Sequence, residues 1–391
     1  MNPVDRNDRW PALTVPFRSD MTRRQFFIGA SACGLIASNP ALAQVPDPTQ
    51  GFVLGPGPTG RCDDYKIGVP VPMLNRDGKS LRMWYYCRSS DFSKEFAPTL
   101  SSGRVALAES EDGRRWRRFN GPLSGESVFE PSADPLDFDA GHLGITDITF
   151  AHGKYWMWYF GGNAVTADTR FGQIPGLAML PGLAHSPNGV DWTRVRGTAR
   201  GGGLLDPQPG DIFASWVNGV WDGDRMLMWY TGLNGQMDRF TTYLAASTDG
   251  INWDPRGKVS IAGPPRDFDA MGMMTRHVMP NPFSPGPRWF MLYTALDGRR
   301  ERNLQRSVVA ATSDDGLVWT RVYDEPIFVH SGPGHWDSEG VAAPRLVIRG
   351  DEMLLYYTGI PAQDAPDTLP KGIGLAVATG RDLRGFRRHL A

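Results

Sequence analysis

Acidic residues recur in one sequence frame along this chain, and carboxyl groups are among the side chains that take up and release protons in acid–base chemistry. Four copies of the frame align without gaps, and the third copy needs a shift of about two residues. Five copies of one unit would bring five carboxylates to similar positions around an axis. A structural alternative is that these aspartates cap backbone amides where strands begin. The five residues are Asp64, Asp139, Asp211, Asp269 and Asp337.

One column of the same alignment is polar in some copies only, which is what an asymmetric pocket needs. Arg276 and His277, together with Arg345, could bind a carboxylate or phosphate group of a ligand. The alternative is that they balance the charge of buried aspartates. The column contains Pro72, Asp147, His277 and Arg345, with Trp216 and Val217 near it in the shifted copy, and Glu339 is the only glutamate in any copy of the frame.

The elements that must position these residues repeat as well. An apolar strand with variants of the sequence MWY is followed by a turn with variants of Ser-x-Asp-Gly-x-x-Trp, at a period of roughly 65 to 75 residues. Asp-Gly suits a tight hairpin and the Ser hydroxyl can bond the turn backbone, so we interpret the turns as structural. The strands are 81–86, 155–160, 226–231, 289–294 and 353–358, and the turns end at Trp116, Trp192, Trp253, Trp319 and, in a degraded copy, Phe386.

Each unit is long enough for one four-stranded antiparallel sheet, and its runs have the period of strands rather than helices. Five such units predict an all-β protein, a five-bladed β-propeller, over residues 62–391. Residues 45–61 form a lead-in rich in proline and glycine. We expect a monomer with no second domain.

Residues 1–44 have the pattern of an export signal with an upstream extension. Arg23 and Arg24 precede an apolar stretch at 28–37 and a small-residue cleavage pattern at 41–43, and Met21 is an alternative start. The twin arginines predict twin-arginine export of the folded protein to the periplasm or the medium. The apolar stretch is shorter than the about 20 residues that span a bilayer, so we expect no stable membrane insertion; an uncleaved anchor is the alternative.

Charge and cysteine content exclude other classes. With 41 basic and 42 acidic residues and no basic block, nothing favours a nucleic-acid partner. No spacing of cysteine and histidine predicts a metal site. Cys33 would leave with the signal, whereas Cys62 and Cys87 would remain in an oxidising compartment, where they either pair or stay free.

The repeated pattern, from Phe/Trp-Asp-x-x-x-Val-x-x-Pro through the MWY strand to the Asp-Gly turn, resembles the five-bladed propeller glycoside hydrolases. This superfamily comprises glycoside hydrolase families 43, 32, 62 and 68, with arabinanases, β-xylosidases, levansucrases and invertases. The resemblance covers about residues 60 to 390. It implies a carbohydrate substrate, and we expect no cofactor. Some members carry an axial calcium ion, which here would have His277 as its neighbour.

In those families three carboxylates surround the axial pocket: an Asp of the first blade, an Asp of the second and a Glu of a later blade. By resemblance Asp64 is the first, with Asp63 as its rival, and the second is either Asp139 or Asp147. Glycoside cleavage needs one carboxylate as base or nucleophile and one protonated carboxyl group as acid. The third blade has no glutamate, so the acid falls to Glu339, with Asp211 as the alternative.

The sequence therefore predicts an exported glycoside hydrolase or transglycosidase that acts on oligo- or polysaccharides. Two alternatives stay open, a glycan-binding propeller without catalysis and an enzyme similar to mannoside phosphorylases. The predicted catalytic residues are Asp64, Asp139, Asp147 and Glu339, and the predicted substrate-binding residues are Asp211, Trp216, Asp269, Arg276, His277, Asp337 and Arg345.

Overall fold

A computed structural model of the chain describes residues 47–91, 103–283, 285–297, 306–362, 365 and 368–390. The predicted signal region and its cleavage site lie outside these residues. Within them the chain forms 24 strands and four single-turn 3₁₀ helices, at Ser124–Glu126, Arg200–Gly202, Asp267–Asp269 and Leu383–Gly385. None of the described helices is both long enough and apolar enough to pass through a bilayer.

The strands form the five predicted blades, each with four antiparallel strands. The first three blades are separate sheets, whereas the fourth and fifth are joined, together with two short additional strands, into one ten-stranded sheet through a parallel contact between Arg306 and Gly340. Strand β1 (Phe52–Leu54) precedes the blades. The first blade contains β2 (Lys66–Leu74), β3 (Leu81–Arg88), β4 (Gly103–Ser110) and β5 (Arg117–Arg118). The second contains β6 (His142–Ala151), β7 (Lys154–Gly162), β10 (Leu180–Ser186) and β11 (Thr193–Val195), with an added hairpin of β8 (Thr166–Thr169) and β9 (Gly172–Pro175).

The third blade contains β12 (Asp211–Asp222), β13 (Arg225–Asn234), β14 (Phe240–Ser247) and β15 (Asp254–Lys258). Strand β16 (Ser260–Ile261) then pairs in parallel with the outer strand of the next blade. The fourth blade contains β17 (Met273–Pro280), β18 (Trp289–Leu296), β19 (Arg306–Ser313) and β20 (Val318–Arg321). The fifth contains β21 (Gly340–Arg349), β22 (Glu352–Ile360), β23 (Ile373–Thr379) and β24 (Arg387–Arg388).

The first strands of the blades form a closed ring, in which β2 packs on β6, β6 on β12, β12 on β17, β17 on β21, and β21 on β2. We call these five the inner strands. The predicted five-bladed propeller is therefore confirmed, and its inner strands all begin at one face, the entry face. Radial closure of this kind leaves only short sheet edges exposed.

The lead-in segment takes part in the closure. Strand β1 pairs with one half of β23, while β24 pairs with the other half. The fourth strand of the fifth blade is thus shared between the two ends of the described chain. Residues 55–62 then connect the fifth blade to the first, and we refer to this segment as the strap.

The turns have the structure predicted from the Ser-x-Asp-Gly pattern. In the first blade the amide of Gly113 donates to Oγ of Ser110 at 2.8 Å. Gly113 has a φ of 71°, a left-handed conformation that glycine adopts without a Cβ clash. The same hydrogen bond joins Gly189 to Ser186, Gly250 to Ser247 and Gly316 to Ser313.

Candidate functional site

The repeated aspartates turn back across their blades instead of facing the axis. In the fourth blade, Asp269 accepts from the hydroxyl of Tyr293 at 2.9 Å and from the guanidinium of Arg321 at 2.7 Å. The tyrosine lies on the second strand and the arginine on the outermost one. This arrangement, which we call the blade clamp, ties the start of the inner strand to both.

The clamp recurs in three other blades. Its carboxylates are buried, so each arginine compensates a charge that would otherwise be costly to bury. Asp139 bonds Arg194 at 2.9 Å, and burial still raises the pKa of Asp139 against the effect of that arginine. The first blade has Asp63 with Tyr85 and Arg118, the second Asp139 with Arg194, and the fifth Asp337 with Tyr357 and Arg388.

The blade clamp shows that the sequence alignment of the first blade was one residue out of register. Asp63, not Asp64, is the equivalent of the aspartates in the other blades. The third blade departs from the pattern, because Asp211 accepts from Tyr243 on β14 at 2.9 Å and no arginine follows Trp253 at the clamp spacing. Asp139, Asp211, Asp269 and Asp337 are therefore spread over separate blades.

The described structure has a cavity of about 150 Å³ beside the clamp of the fourth blade. Asp269, Tyr293 and Arg321 line it together with residues of the β16 segment. The carboxylate there is already paired with arginine, so the cavity offers a ligand little free hydrogen-bonding capacity.

A second polar set lies midway along the inner strands. Strand pairing places each member opposite the tryptophan of the MWY sequence or the residue equivalent to it, for example Asp147 opposite Trp158. The first blade contributes Val71 where the sequence alignment has Pro72, and the third contributes Asn218 instead of Trp216 or Val217. The axial column is Val71, Asp147, Asn218, His277 and Arg345.

Side chains of the axial column join each blade to the next. Asp147 accepts from the side-chain amide of Asn218 and, at 3.4 Å, from the amide of Gly219. Asn218 accepts from the amide of Val278 at 2.8 Å. In the same way His277 Nδ1 accepts from the amide of Leu346 at 3.2 Å.

The series ends at the seam between the fifth and first blades. Pro72 follows Val71 there and has no N–H to donate, and Arg345 has no acceptor to offer. Arg345 donates instead to the backbone carbonyls of Arg276, at 2.7 Å, and of Thr146. Much of the polar column therefore holds the blades together.

Asp147 is the carboxylate of the axial column and is only 3% exposed. Its Oδ1 accepts from the amide of Ile148 at 2.9 Å and lies 3.8 Å from Nε of Arg345. Burial raises the pKa of Asp147 to about 6, although Arg345 and the hydrogen bonds to its oxygens act in the opposite direction. The carboxyl group thus takes up a proton in mildly acidic solution.

The basic members of the set are equally enclosed. Arg276 is 1% exposed and donates to the carbonyls of Trp216 and Met274, both at 2.9 Å, and to the hydroxyl of Thr231. Burial and the neighbouring Arg345 lower the pKa of Arg276 to about 9. The same two causes lower the pKa of His277 well below its usual value, so its imidazole is neutral.

These residues do not fit an axial calcium ion, which takes six to eight oxygen ligands. Both oxygens of Asp147 accept hydrogen bonds, and the guanidinium groups of Arg276 and Arg345 would repel a cation. Among the described residues no group of three or more His, Cys, Asp or Glu side chains is placed to bind a metal.

Left-handed residues mark the inner strands two positions before the axial column. Val69, Trp216 and Ala343 have φ values of 47°, 44° and 50°, at bulges that interrupt the strand pairing. The threonine that follows the MWY sequence supports two of them: Thr358 accepts from the amide of Val69 at 2.8 Å, and Thr294 from that of Ala343 at 2.9 Å.

Trp216 is the aromatic residue at these bulges, and the residue is partly exposed. It packs against Phe213 and Phe240, with ring centroids 5.4 and 5.5 Å away. A partly exposed aromatic residue held in this way offers a flat apolar surface near the axis.

The two remaining predicted carboxylates lie at the entry face. Asp64 accepts from the amides of Gly60 and Ser90 at 2.9 and 2.6 Å, and from the Ser90 hydroxyl at 3.0 Å. Partial burial works to raise the pKa of Asp64, but these hydrogen bonds outweigh it, so its pKa lies below the usual value. Glu339 comes directly before β21 and is partly exposed.

No family model matches the chain. Two uncharacterised Mycobacterium tuberculosis proteins, MT1551 and Rv1502, are each 26% identical over 245 residues, which is 61% of this chain and 73% of theirs.

Solved structures match over more of the chain. One belongs to the GH130 family of mannoside phosphorylases, described as containing glycoside hydrolases that target β-1,2-mannosidic linkages in Candida mannan (TM-score 0.57, 18% identity, 87% of this chain and 95% of that one). Another is the protein BT0996 in complex with RGII (0.54, 16%, 87% and 94%). A third is a thermostable family-43 glycoside hydrolase (0.54, 14%, 85% and 94%). The chain therefore shares the five-bladed β-propeller fold of these structures.

Proposed function

We propose that the protein is an exported glycoside hydrolase or transglycosidase, which acts on oligo- or polysaccharides at the entry face of the propeller. The observation that carries this proposal is the placement of Asp64 and Glu339. They come just before β2 and β21, two inner strands that pack on each other at the seam between the first and fifth blades. Both side chains are partly exposed, as groups that touch a substrate must be.

The proposal gives the two carboxyl groups different roles. Asp64 receives three hydrogen bonds that favour its ionised form, which suits a base or nucleophile. Glu339 then supplies the proton to the leaving oxygen. Trp216 offers an aromatic surface on which a sugar ring can stack, because such rings bind the apolar face of a sugar.

Asp147 has a supporting role in this proposal. It is buried and both its oxygens are engaged, so it acts on the reaction through charge and position. The clamp residue Asp139 is tied to Arg194 and contributes to the fold, as do Asp269 and Asp337. Arg276, His277 and Arg345 shape the floor beneath the substrate.

A specific observation favours a second function, a glycan-binding propeller. The inner strands β2, β17 and β21 contain no aspartate or glutamate, so the axial column itself has only the enclosed Asp147. A propeller that binds glycans without cleaving them needs no carboxyl pair. The phosphorylase alternative has less support, because Arg276 and Arg345 already donate to backbone carbonyls.

The test is a panel of activated aryl furanosides and pyranosides together with plant and microbial oligosaccharides. We expect the full-length protein to release sugar from at least one of these substrates, at the same rate in the presence and in the absence of inorganic phosphate. Glu339→Gln should slow poor leaving groups far more than activated aryl groups, because only the former need protonation. Glycan binding by calorimetry without cleavage would instead establish the binding module, and neither binding nor cleavage would reject both proposals. Phosphate-dependent release would identify a phosphorylase.

A further inference from the structure

Two cysteines meet in the first blade at the end of the strap. Sγ of Cys87, on β3, lies 3.4 Å from Sγ of Cys62, and both thiols are free. Their exposed fractions are 0% and 1%. The thiols are enclosed, and burial together with the neighbouring Cys62 raises the pKa of Cys87 well above its usual value, which disfavours its thiolate in the closed structure. The described residues around the pair contain no group of three or more His, Cys, Asp or Glu side chains placed to bind a metal.

We propose that Cys62 and Cys87 are an oxidation site that closes to a disulfide and fastens the strap to the first blade. A disulfide has an S–S distance of about 2.05 Å, so the sulfurs must approach by little more than 1 Å. The backbone around them is already fixed: Cys62 donates its amide to the carbonyl of Gly125 at 2.8 Å, and Cys87 pairs with Ile67 in the sheet.

The reaction is a thiol–disulfide exchange with a small oxidised disulfide such as oxidised glutathione. One cysteine thiolate attacks a sulfur of the oxidant and releases one reduced thiol; the second cysteine then displaces the other half. The two cysteines lose two electrons and two protons, and the oxidant gains them as two thiols. Because both sulfurs are buried, exchange requires the strap to open or takes place while the chain folds.

The cysteine pair lies where the strap reaches the first blade, so a cross-link there would affect how the fifth and first blades are joined. The strap follows β1, which is paired with the fifth blade, and ends at Cys62 beside the first blade. A covalent bond to β3 would anchor the end of the segment that joins the two blades. Because the cross-link closes a loop of 25 residues, it restricts the unfolded chain and stabilises the fold.

The experiment uses the full chain with Cys33→Ser, so that Cys62 and Cys87 are the remaining cysteines. The protein is unfolded in denaturant with reductant and refolded either in a reduced/oxidised glutathione buffer or in reductant alone. Each sample is alkylated with iodoacetamide in denaturant and weighed intact. We expect no alkyl groups on the glutathione-refolded protein and two on the reduced protein, with the oxidised form melting about 3 to 8 °C higher.

Single variants separate the cross-link from other effects of oxidation. Cys62→Ala and Cys87→Ala, in the same background, should each take up one alkyl group and melt at the same temperature in both buffers. Two alkyl groups on glutathione-refolded protein, glutathione retained on the cysteines as mixed disulfides, or an oxidised form no more stable than the reduced one would each overturn the proposal. The comparison of the oxidised and reduced Cys33→Ser protein needs no substitution at Cys62 or Cys87, so it remains valid even if a single variant fails to fold.

Discussion

The indole N–H of Trp84, in the first blade, donates to the carbonyl oxygen of Gly189 in the turn of the second blade at 2.7 Å. Trp229 of the third blade reaches Gly316 of the fourth in the same way, at 2.8 Å. In these two blades the MWY strand and the Asp-Gly turn of the next blade are the two halves of an interblade hydrogen bond, whereas Trp158 of the second blade donates to the hydroxyl of Thr149 at 3.2 Å.

At the closing seam Tyr356 replaces the tryptophan and donates its hydroxyl to the carbonyl of Gly113 at 2.6 Å. Tyr356→Phe should destabilise the protein by about 1 to 3 kcal/mol, because the buried carbonyl loses its partner. Equilibrium unfolding in urea measures this difference. Tyr155→Phe is the control, since its ring packs on Phe150 and Trp84 and the ring is kept. Equal stability losses in both variants would argue against a stabilising role for the hydrogen bond from Tyr356 to Gly113.

The clamps predict unequal costs for two aspartate substitutions. Asp139→Asn leaves Arg194 without its buried carboxylate and should cost about 2 to 4 kcal/mol. Asp211→Asn, in the blade without a clamp arginine, weakens a hydrogen bond from Tyr243 and should cost about 1 kcal/mol. Denaturant midpoints of the two variants give the comparison, and an equal or reversed order would refute the clamp as the reason these aspartates repeat.

The pKa of Asp147 predicts a pH dependence of stability. Its folded-state pKa, about 6, lies above the unfolded value of 3.8, so the folded protein holds the proton more tightly. The contribution of Asp147 to stability is therefore largest below pH 4 and declines as the pH rises to about 6. The free energy of unfolding of the wild type minus that of Asp147→Asn should fall across this window. A flat or rising difference would contradict the raised pKa.

The export prediction concerns Arg23 and Arg24, outside the described residues. Replacing both by lysine should leave the precursor in the cytoplasm, because twin-arginine export depends on the arginine pair. Fractionation of cells that express the two forms measures the distribution of the protein. Unchanged export of the lysine variant would show that another route is used.

Repetition made the propeller predictable from the sequence, because the turn and strand patterns are local and recur in each blade. The candidate site was harder to predict from the sequence. Each inner strand has a one-residue bulge at the equivalent place, so the bulges do not offset the repeats from one another. The error in the first blade comes from aligning its copy on Asp64 instead of Asp63, and in the third blade the shifted alignment missed Asn218. Nor does a pattern of aspartates reveal whether they face the axis or the outer strands.

A signal for the clamp was nevertheless present in the sequence. An arginine follows two residues after the turn aromatic in four blades, as in Trp192 and Arg194, whereas Trp253 is followed by Pro255. Pairing these arginines with the aspartates would have separated Asp63 from Asp64. Asn218, by contrast, lies in the third copy, which aligned only with a shift, so the alignment did not place it in the same column as Asp147 and His277.

The most direct test of the central claim is the turnover of Asp64→Asn beside that of Asp63→Asn, on a glycoside that the wild type cleaves. Adjacent in sequence, these residues have different roles: Asp64 faces the entry face and Asp63 is locked in a clamp with Tyr85 and Arg118. We predict that Asp64→Asn lowers kcat about 10² to 10⁴-fold while its melting temperature stays close to the wild type. Asp63→Asn should instead lower the melting temperature and leave the kcat of the folded fraction nearly unchanged. Wild-type turnover by Asp64→Asn would contradict the assignment of glycoside cleavage to this face.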